Sequence, residues 1–366
     1  MRTLLVFLLT AASAFAQPFG SEHHDFRLVR VVEGLEQPWS VAFLPDGRML
    51  ITEKAGRLRV VEQGRLLPQP VAGVPQVTVH GQGGLHDVAL HPQFEKNRLV
   101  YLAYAARGVD GVGTALARGR LEDGRLEDVQ VLFRQSPKGS RGQHFGGRIV
   151  FDRAGFLYLT LGDRGEMARA QRPGDHAGSL IRLHDDGRVP KDNPFVGKPG
   201  WKPEKFTLGN RNMQGAALHP QTGALWTHEH GPQGGDEVNI MRAGANYGWP
   251  VITYGVNYGL GTRIGEGTRK PGMEQPLYYW VPSIAPSGMA FYTGDRFPRW
   301  KGNLFVGALR DRMLVRLQLD GDKVVKEERL LQNALGRIRD VRAAPDGFLY
   351  LLTDDSAGVL ARLEPR

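Results

Sequence analysis

The sequence predicts an all-β chain folded as a six-bladed β-propeller, on three observations. One motif recurs six times: an apolar strand, a turn of Pro or Asp followed by Gly, then a strongly apolar second strand. No stretch of any length carries the 3.6-residue apolar period of an amphipathic helix. Glycine (48) and proline (23) are scattered along the 366 residues, a pattern of many tight turns rather than of a disordered tract.

In chain order, the copies run over 40–61, 88–106, 148–163, 216–230, 289–319 and 341–355, with turns near Pro45, Pro92, Ala154, Gln221, Pro298 and Pro345. In the third copy Phe156, Tyr158 and Thr160 alternate with Leu157, Leu159 and Leu161, as a strand requires. Units of this size, each holding several strands, bury both faces only by stacking radially. Two packed sheets would not account for the repeat. The N- and C-terminal segments are expected to share a blade and close the ring. The spacing leaves long insertions at 164–208 and 245–288, and such loops gather around the channel on one face.

Residues 1–16 read as a cleaved signal peptide: Arg2, an apolar run over Leu4–Thr10, and Ala14-Phe15-Ala16 as the processing site. That run is too short to span a bilayer, and no later segment reaches spanning length. The expectation is an exported protein, periplasmic or secreted, without membrane insertion. Residues 17–25 are expected to be a mobile leader and 26–366 a single propeller. The absence of cysteine excludes disulfides, thiol catalysis and cysteine metal sites. The +9 net charge (47 Lys+Arg against 38 Asp+Glu) is interspersed. No nucleic-acid motif accompanies it, so it points instead to an anionic cofactor or substrate.

Function concentrates in 208–249. A cationic patch, Asn210 to Gly215, precedes one hairpin, and a carbonyl-rich acidic loop, Gly231 to Glu237, follows it. The combination suits an anion held with a hard metal such as Ca²⁺. Polar residues occupy equivalent strand ends elsewhere: Gln82 before the second copy, His144 before the third, Asp163 after it, Arg211 and Asn212 before the fourth, Arg337 and Arg339 before the sixth. Equivalent places in successive blades converge on one channel mouth. Taken singly, a histidine such as His144 is more often a packed side chain than a base, and Gly142, Gly146 and Gly147, which permit close approach, raise the second reading modestly. Arg337 and Arg339 share a strand face, which requires an anion or carboxylates to neutralise them. His228 and His230 read as a metal pair or a polar strand face, and His86 and Asp87 stay undecided.

These residues lie in motifs that resemble the soluble PQQ-dependent aldose sugar dehydrogenases, grouped with soluble quinoprotein glucose dehydrogenase and the glucose/sorbosone dehydrogenases. The resemblance runs from about Val31 to Leu360. It is carried in order by PWSVAFLPDGRMLITEKAGRL, GQGGLHDVALHP, HFGGRIVFDRAGFLYLTLGDRG, LGNRNMQGAALHP, EHGPQGGDEVN, GANYGWP and RIRDV. It implies a six-bladed propeller, PQQ and Ca²⁺ as cofactors, aldoses as substrates and an external electron acceptor. It further implies that Gln82, Arg211, Asn212, Arg337 and Arg339 hold PQQ, that the Gly231 and Pro232 carbonyls bind the Ca²⁺ on it, and that Glu237 and Tyr247 bind a second, structural Ca²⁺. His144, oriented by Asp163, would take the anomeric proton while hydride passes to the quinone. Arg211 would polarise the quinone oxygen, and the product would be a lactone.

The chain departs from the family pattern where some members have a lysine after the fifth repeat, so Arg310 is taken as its substitute. Trp280 matches the aromatic wall of the substrate site, while Tyr278 and Tyr279 both fit the sugar-contacting tyrosine. A Ca²⁺-dependent lactonase-type propeller hydrolase and a non-catalytic sugar- or protein-binding propeller are the alternatives.

Overall fold

A computed structural model describes residues 18–366; the predicted signal peptide lies outside the described residues. Six antiparallel sheets follow one another along the chain. Their innermost strands are Pro38–Phe43, Leu85–Leu90, Ile149–Phe151, Met213–Leu218, Pro286–Phe291 and Ile338–Ala343. Each belongs to one of the six sequence copies. The sixth sheet is completed by the N-terminal strand Asp25–Leu35, which pairs with Gly358–Pro365 and closes the ring. Beyond it, Pro18–Gly20 pairs with Asp25–Arg27. Glu22 is ion-paired to Arg316 and Lys326 of the fifth blade. The stretch expected to be a mobile leader is therefore the blade's outer strand and its anchored turn, because its backbone and charge both find partners.

Six apolar clusters fill the six gaps between blades, each drawing side chains from two neighbouring sheets. Leu50 and Leu58 meet Leu102 and Ala117 between the first and second blades. Trp226 and Val238 meet Val306 and Val315 between the fourth and fifth. Val41 and Ile51 meet Leu352 and Leu360 across the closure. This is why the inner hairpins are apolar on both faces and stood out in the sequence. Outer strands are half solvated, as the exposure along Arg125–Arg134 shows. The hairpin turns repeat one device: Gly47, Gly155 and Gly347 sit at φ +88°, +86° and +83°, a conformation that L side chains rarely adopt. At Pro45-Asp46-Gly47 and Pro345-Asp346-Gly347 the aspartate accepts a backbone N–H two residues on.

The inner strands close the channel with an alternating ion network. Arg148 Nη1 lies 3.2 Å from Asp87 and 3.1 Å from Asp340. Arg342 lies 2.7 and 2.8 Å from the same two carboxylates. Arg148 also packs over Trp39, its guanidinium carbon 4.3 Å from the ring centre. Two cations and two anions from three blades thus form the floor under the channel mouth. Asp87 belongs to this floor.

Candidate active site

Above the floor, a cavity of about 310 Å³ is lined by Gln82, Asn212, Arg337 and Arg339, as the sequence analysis expected, and by Lys54, His86 and Asp354. That volume is within the range of small-ligand pockets. Arg337 and Arg339 both donate to Asp354 Oδ2, at 2.8 and 2.9 Å. One carboxylate serves two guanidinium groups, so positive charge is left over, with Lys54 adding to it. His86 is buried against Trp39 and Phe145, and burial pushes its pKa down to about 3. It is therefore a neutral wall of the cavity.

A second cavity of about 350 Å³ adjoins the first through Gln82 and is lined by His144, Asp163, Arg211, Pro232, Trp249 and Tyr258. His144 Nδ1 donates to Asp163 Oδ1 at 2.6 Å. The same oxygen accepts the Gly165 N–H (2.7 Å), while Oδ2 accepts Trp249 Nε1 (2.7 Å). Three donors thus fix the carboxylate, and the carboxylate fixes the imidazole. His144 itself sits at φ +53°, unusual for a residue with a Cβ. Its N–H donates to Gln82 Oε1 at 2.8 Å. Burial holds the His144 pKa below the usual histidine value; Asp163 opposes that shift and Arg211 adds to it. The ring is neutral at neutral pH, with the proton on Nδ1 and the lone pair on Nε2.

Arg211 extends Nη1 to the carbonyls of His230 (3.1 Å) and Gly231 (2.8 Å). Its guanidinium lies 5.3 Å from the Trp249 ring centre. Beside it, a small cavity of about 10 Å³, large enough for one ion or water, is lined by Glu229, Gly231, Glu237 and Tyr247. Glu229 and Glu237 are cross-strand partners. Burial raises their pKa values to about 7 and about 8, and for Glu237 the nearby Glu229 charge adds to burial. The Tyr247 hydroxyl is committed to Ile240 O (2.6 Å) and Arg242 N–H (2.9 Å). Only its main-chain carbonyl is left to face a cation.

Two expected residues stand elsewhere. Trp280 is 3% exposed, packs against Tyr278 and donates Nε1 to Glu327 at 2.6 Å. Its register, opposite Asp236, turns it into the gap between the fourth and fifth blades. It is a core residue and lines neither cavity, whereas Trp249 and Tyr258 line the second. Arg310 does not line the central cavity. It donates to Ser283 O (2.5 Å) and lines an adjoining cavity of about 410 Å³ with Gly231 and Pro232. Trp249, Asp354 and Glu229 were missed as site residues. GANYGWP and THEH were in view, but nothing in the sequence tied these side chains to residues in other blades or across the turn.

The propeller with a His–Asp pair beside a cation-rich channel mouth has the architecture of a propeller oxidoreductase. The chain belongs to the Glucose / Sorbosone dehydrogenase family, which it matches over residues 35–362. It is 48% identical over 338 residues to the aldose sugar dehydrogenase YliI of Escherichia coli (strain K12), covering 91% of each chain. The apo-form of a soluble aldose sugar dehydrogenase from Escherichia coli superposes with a TM-score of 0.91 at 47% identity, over 93% of this chain and 100% of that one. The PQQ-bound form of an aldose sugar dehydrogenase from Streptomyces coelicolor superposes with a TM-score of 0.77 at 27% identity, over 93% and 98%. The protein is an oxidoreductase of the aldose sugar and glucose dehydrogenase kind.

Proposed function

We propose that the protein oxidises aldoses at C1 to lactones with PQQ and Ca²⁺ and passes the electrons to an external acceptor. We propose also that it works outside the cytoplasm, on the strength of the signal-like residues 1–16. The observation that carries the reaction is the His144–Asp163 pair, which lines a cavity that shares Gln82 with the cation-rich mouth. The lining fits an anion: among the described residues, Arg211 Nε and Arg339 Nε are buried donors without a hydrogen-bond partner. Such groups call for an acceptor-rich ligand. Arg337, Arg339, Gln82, Asn212 and Arg211 would hold PQQ, whose carboxylates match guanidinium groups. The Gly231 and Pro232 carbonyls would take the Ca²⁺ at the cofactor. A second Ca²⁺ suits the small cavity, where Glu229 and Glu237 add carboxylates to main-chain oxygens.

PQQ supplies the hydride acceptor and Ca²⁺ the Lewis acid that makes it electrophilic. The chain's own work is proton transfer and charge placement. His144 Nε2 takes the anomeric hydroxyl proton, since Nδ1 is bound to Asp163. The Asp163 carboxylate then stabilises the imidazolium. Arg211 places its positive charge where negative charge develops. The hydrolase alternative needs free carboxylates converging at the mouth, but Asp163 and Asp354 are taken by His144, Trp249 and the two arginines. Titration with PQQ, followed through Trp249 fluorescence with and without Ca²⁺, tests the binding half. Saturable quenching that requires Ca²⁺ is the expected result, and none in either condition would refute it.

A further inference from the structure

Behind the His–Asp pair lies a cation that the reaction does not use. Arg164 is fully buried, and among the described residues none of its hydrogen-bond partners is a carboxylate. Its guanidinium donates to three main-chain carbonyls: Gln143, Arg141 (2.6 Å) and Val112 (3.2 Å). Nε has no partner, and the guanidinium carbon lies 3.4 Å from the Phe145 ring centre. Burial, with Arg169 nearby, pushes its pKa down to about 9; Asp163 and Glu166 act the other way. Burying an ion among neutral groups is expensive, so this contact set stabilises one loop geometry at a cost elsewhere.

The loop is the one that carries the base. Gln143 precedes His144 and Phe145 follows it, so the guanidinium grips the chain on both sides of a residue at φ +53°. Arg164, at φ +61°, also donates its own N–H to His144 O at 3.3 Å. Two left-handed non-glycine residues therefore face each other, each over-determined by the other's contacts. The adjacent Asp163 holds the ring. The same segment packs tightly on it: a Cβ on Gly162 would lie 2.3 Å from His144 O.

We infer that Arg164 is a positioning residue for His144: its buried guanidinium gathers the Arg141, Gln143 and Val112 carbonyls and so holds the His144 backbone in the left-handed conformation that keeps Nδ1 on Asp163. The inference rests on the reading of His144 as the base. The titratable and charged groups facing His144 are Asp163, which favours its protonated form, Arg211 and Arg164, which disfavour it, and His230, which burial keeps neutral. Removing Arg164 loosens the loop, lets water reach the ring and deletes one of those cations. Water access and loss of the cation raise the His144 pKa, and release of Nδ1 from Asp163 lowers it.

The test compares wild type, Arg164→Met, Arg164→Lys and Arg164→Ala with PQQ, Ca²⁺, an aldose and a dye acceptor, and follows His144 by NMR titration without substrate. The expected result in Arg164→Met is a kcat loss on the order of 10²-fold, typical of a base displaced by about 1 Å. KM should change little, and the acid limb of kcat and the His144 titration should shift together from their wild-type positions. Arg164→Lys, which keeps the charge but not the fork, should be intermediate, and millimolar guanidinium chloride should partly restore Arg164→Ala, whose truncation leaves space for it, where sodium chloride does not. A folded Arg164→Met with wild-type kcat and His144 titration overturns the inference. If Arg164→Met does not fold, a folded Arg164→Lys with wild-type values overturns it equally. If sugar oxidation is absent in wild type but the His144 titration still moves, the proposed reaction fails and the clamp stands.

Discussion

Replacing Asp163 by asparagine separates the roles of charge and geometry in the His–Asp pair. In the wild type three donors converge on two carboxylate oxygens: His144 Nδ1 and the Gly165 N–H on Oδ1, Trp249 Nε1 on Oδ2. An amide offers one acceptor and one NH₂ group, so in either orientation a buried donor meets a donor. That leaves roughly 1–3 kcal/mol of unmet hydrogen bonding, and Tm should fall by a few degrees. With the amide oxygen toward His144 the fold is kept, but the imidazolium has lost its counter-ion. Turnover should then fall on the order of 10²- to 10⁴-fold, the range ascribed to a positioned general base. The sign of the pH effect is also fixed. Asp163 raises the His144 pKa against the lowering by burial, so its neutralisation lowers that pKa further and moves the acid limb of kcat to lower pH. The Asp163 pKa is itself held below the usual carboxylate value, its bond to His144 outweighing burial together with Arg211 and the Gly165 N–H. Its charge thus stabilises the fold above the unfolded carboxylate pKa, and this contribution is lost as pH falls through the folded value. Asp163→Asn should show less acid destabilisation. The assay is dye-coupled aldose oxidation across pH, with thermal unfolding alongside. Wild-type kcat with an unmoved acid limb would refute the reasoning.

Three further outcomes follow. Arg339→Ala removes a guanidinium that Asp354 shares with Arg337; PQQ affinity should drop roughly 10- to 100-fold, as for a lost charge-assisted bond of about 1.5–3 kcal/mol, and unchanged titration would count against it. Ca²⁺ should raise the Tm of metal-free protein more at pH 8 than at pH 6, because Glu229 and Glu237 are held protonated to about 7 and about 8 and a cation must displace those protons. Glu237→Gln should abolish most of that increment, and calorimetric melts at both pH values decide it. Trp280→Phe should leave aldose KM unchanged while lowering Tm slightly, since it removes the Nε1 bond to Glu327, which keeps Tyr278 and Arg329 as partners; a raised KM would place Trp280 at the sugar site.

The inner hairpins were legible because burial on both faces writes an apolar run between Gly turns, as at Phe156 to Leu161. Outer strands such as Arg125–Arg134 face water on much of their length and carry no such run. His144 and Asp163 could be placed together because one hairpin carries both. Trp249 and Asp354 reach the same mouth from other blades, and closure of the ring is what brings them there. Trp280 was misplaced for a related reason. One residue of register decides whether an aromatic on Tyr278–Trp280 faces a neighbouring blade or the solvent side, and that register is set by pairing with Asp236 rather than by local sequence.

The most direct measurement mixes purified protein, PQQ, Ca²⁺, an aldose and an artificial electron-accepting dye, omitting each in turn, with His144→Gln run in parallel. Dye reduction that needs every component, yields the lactone and is lost in His144→Gln is the predicted result. Reduction that persists without PQQ, or undiminished turnover in His144→Gln, would contradict the account.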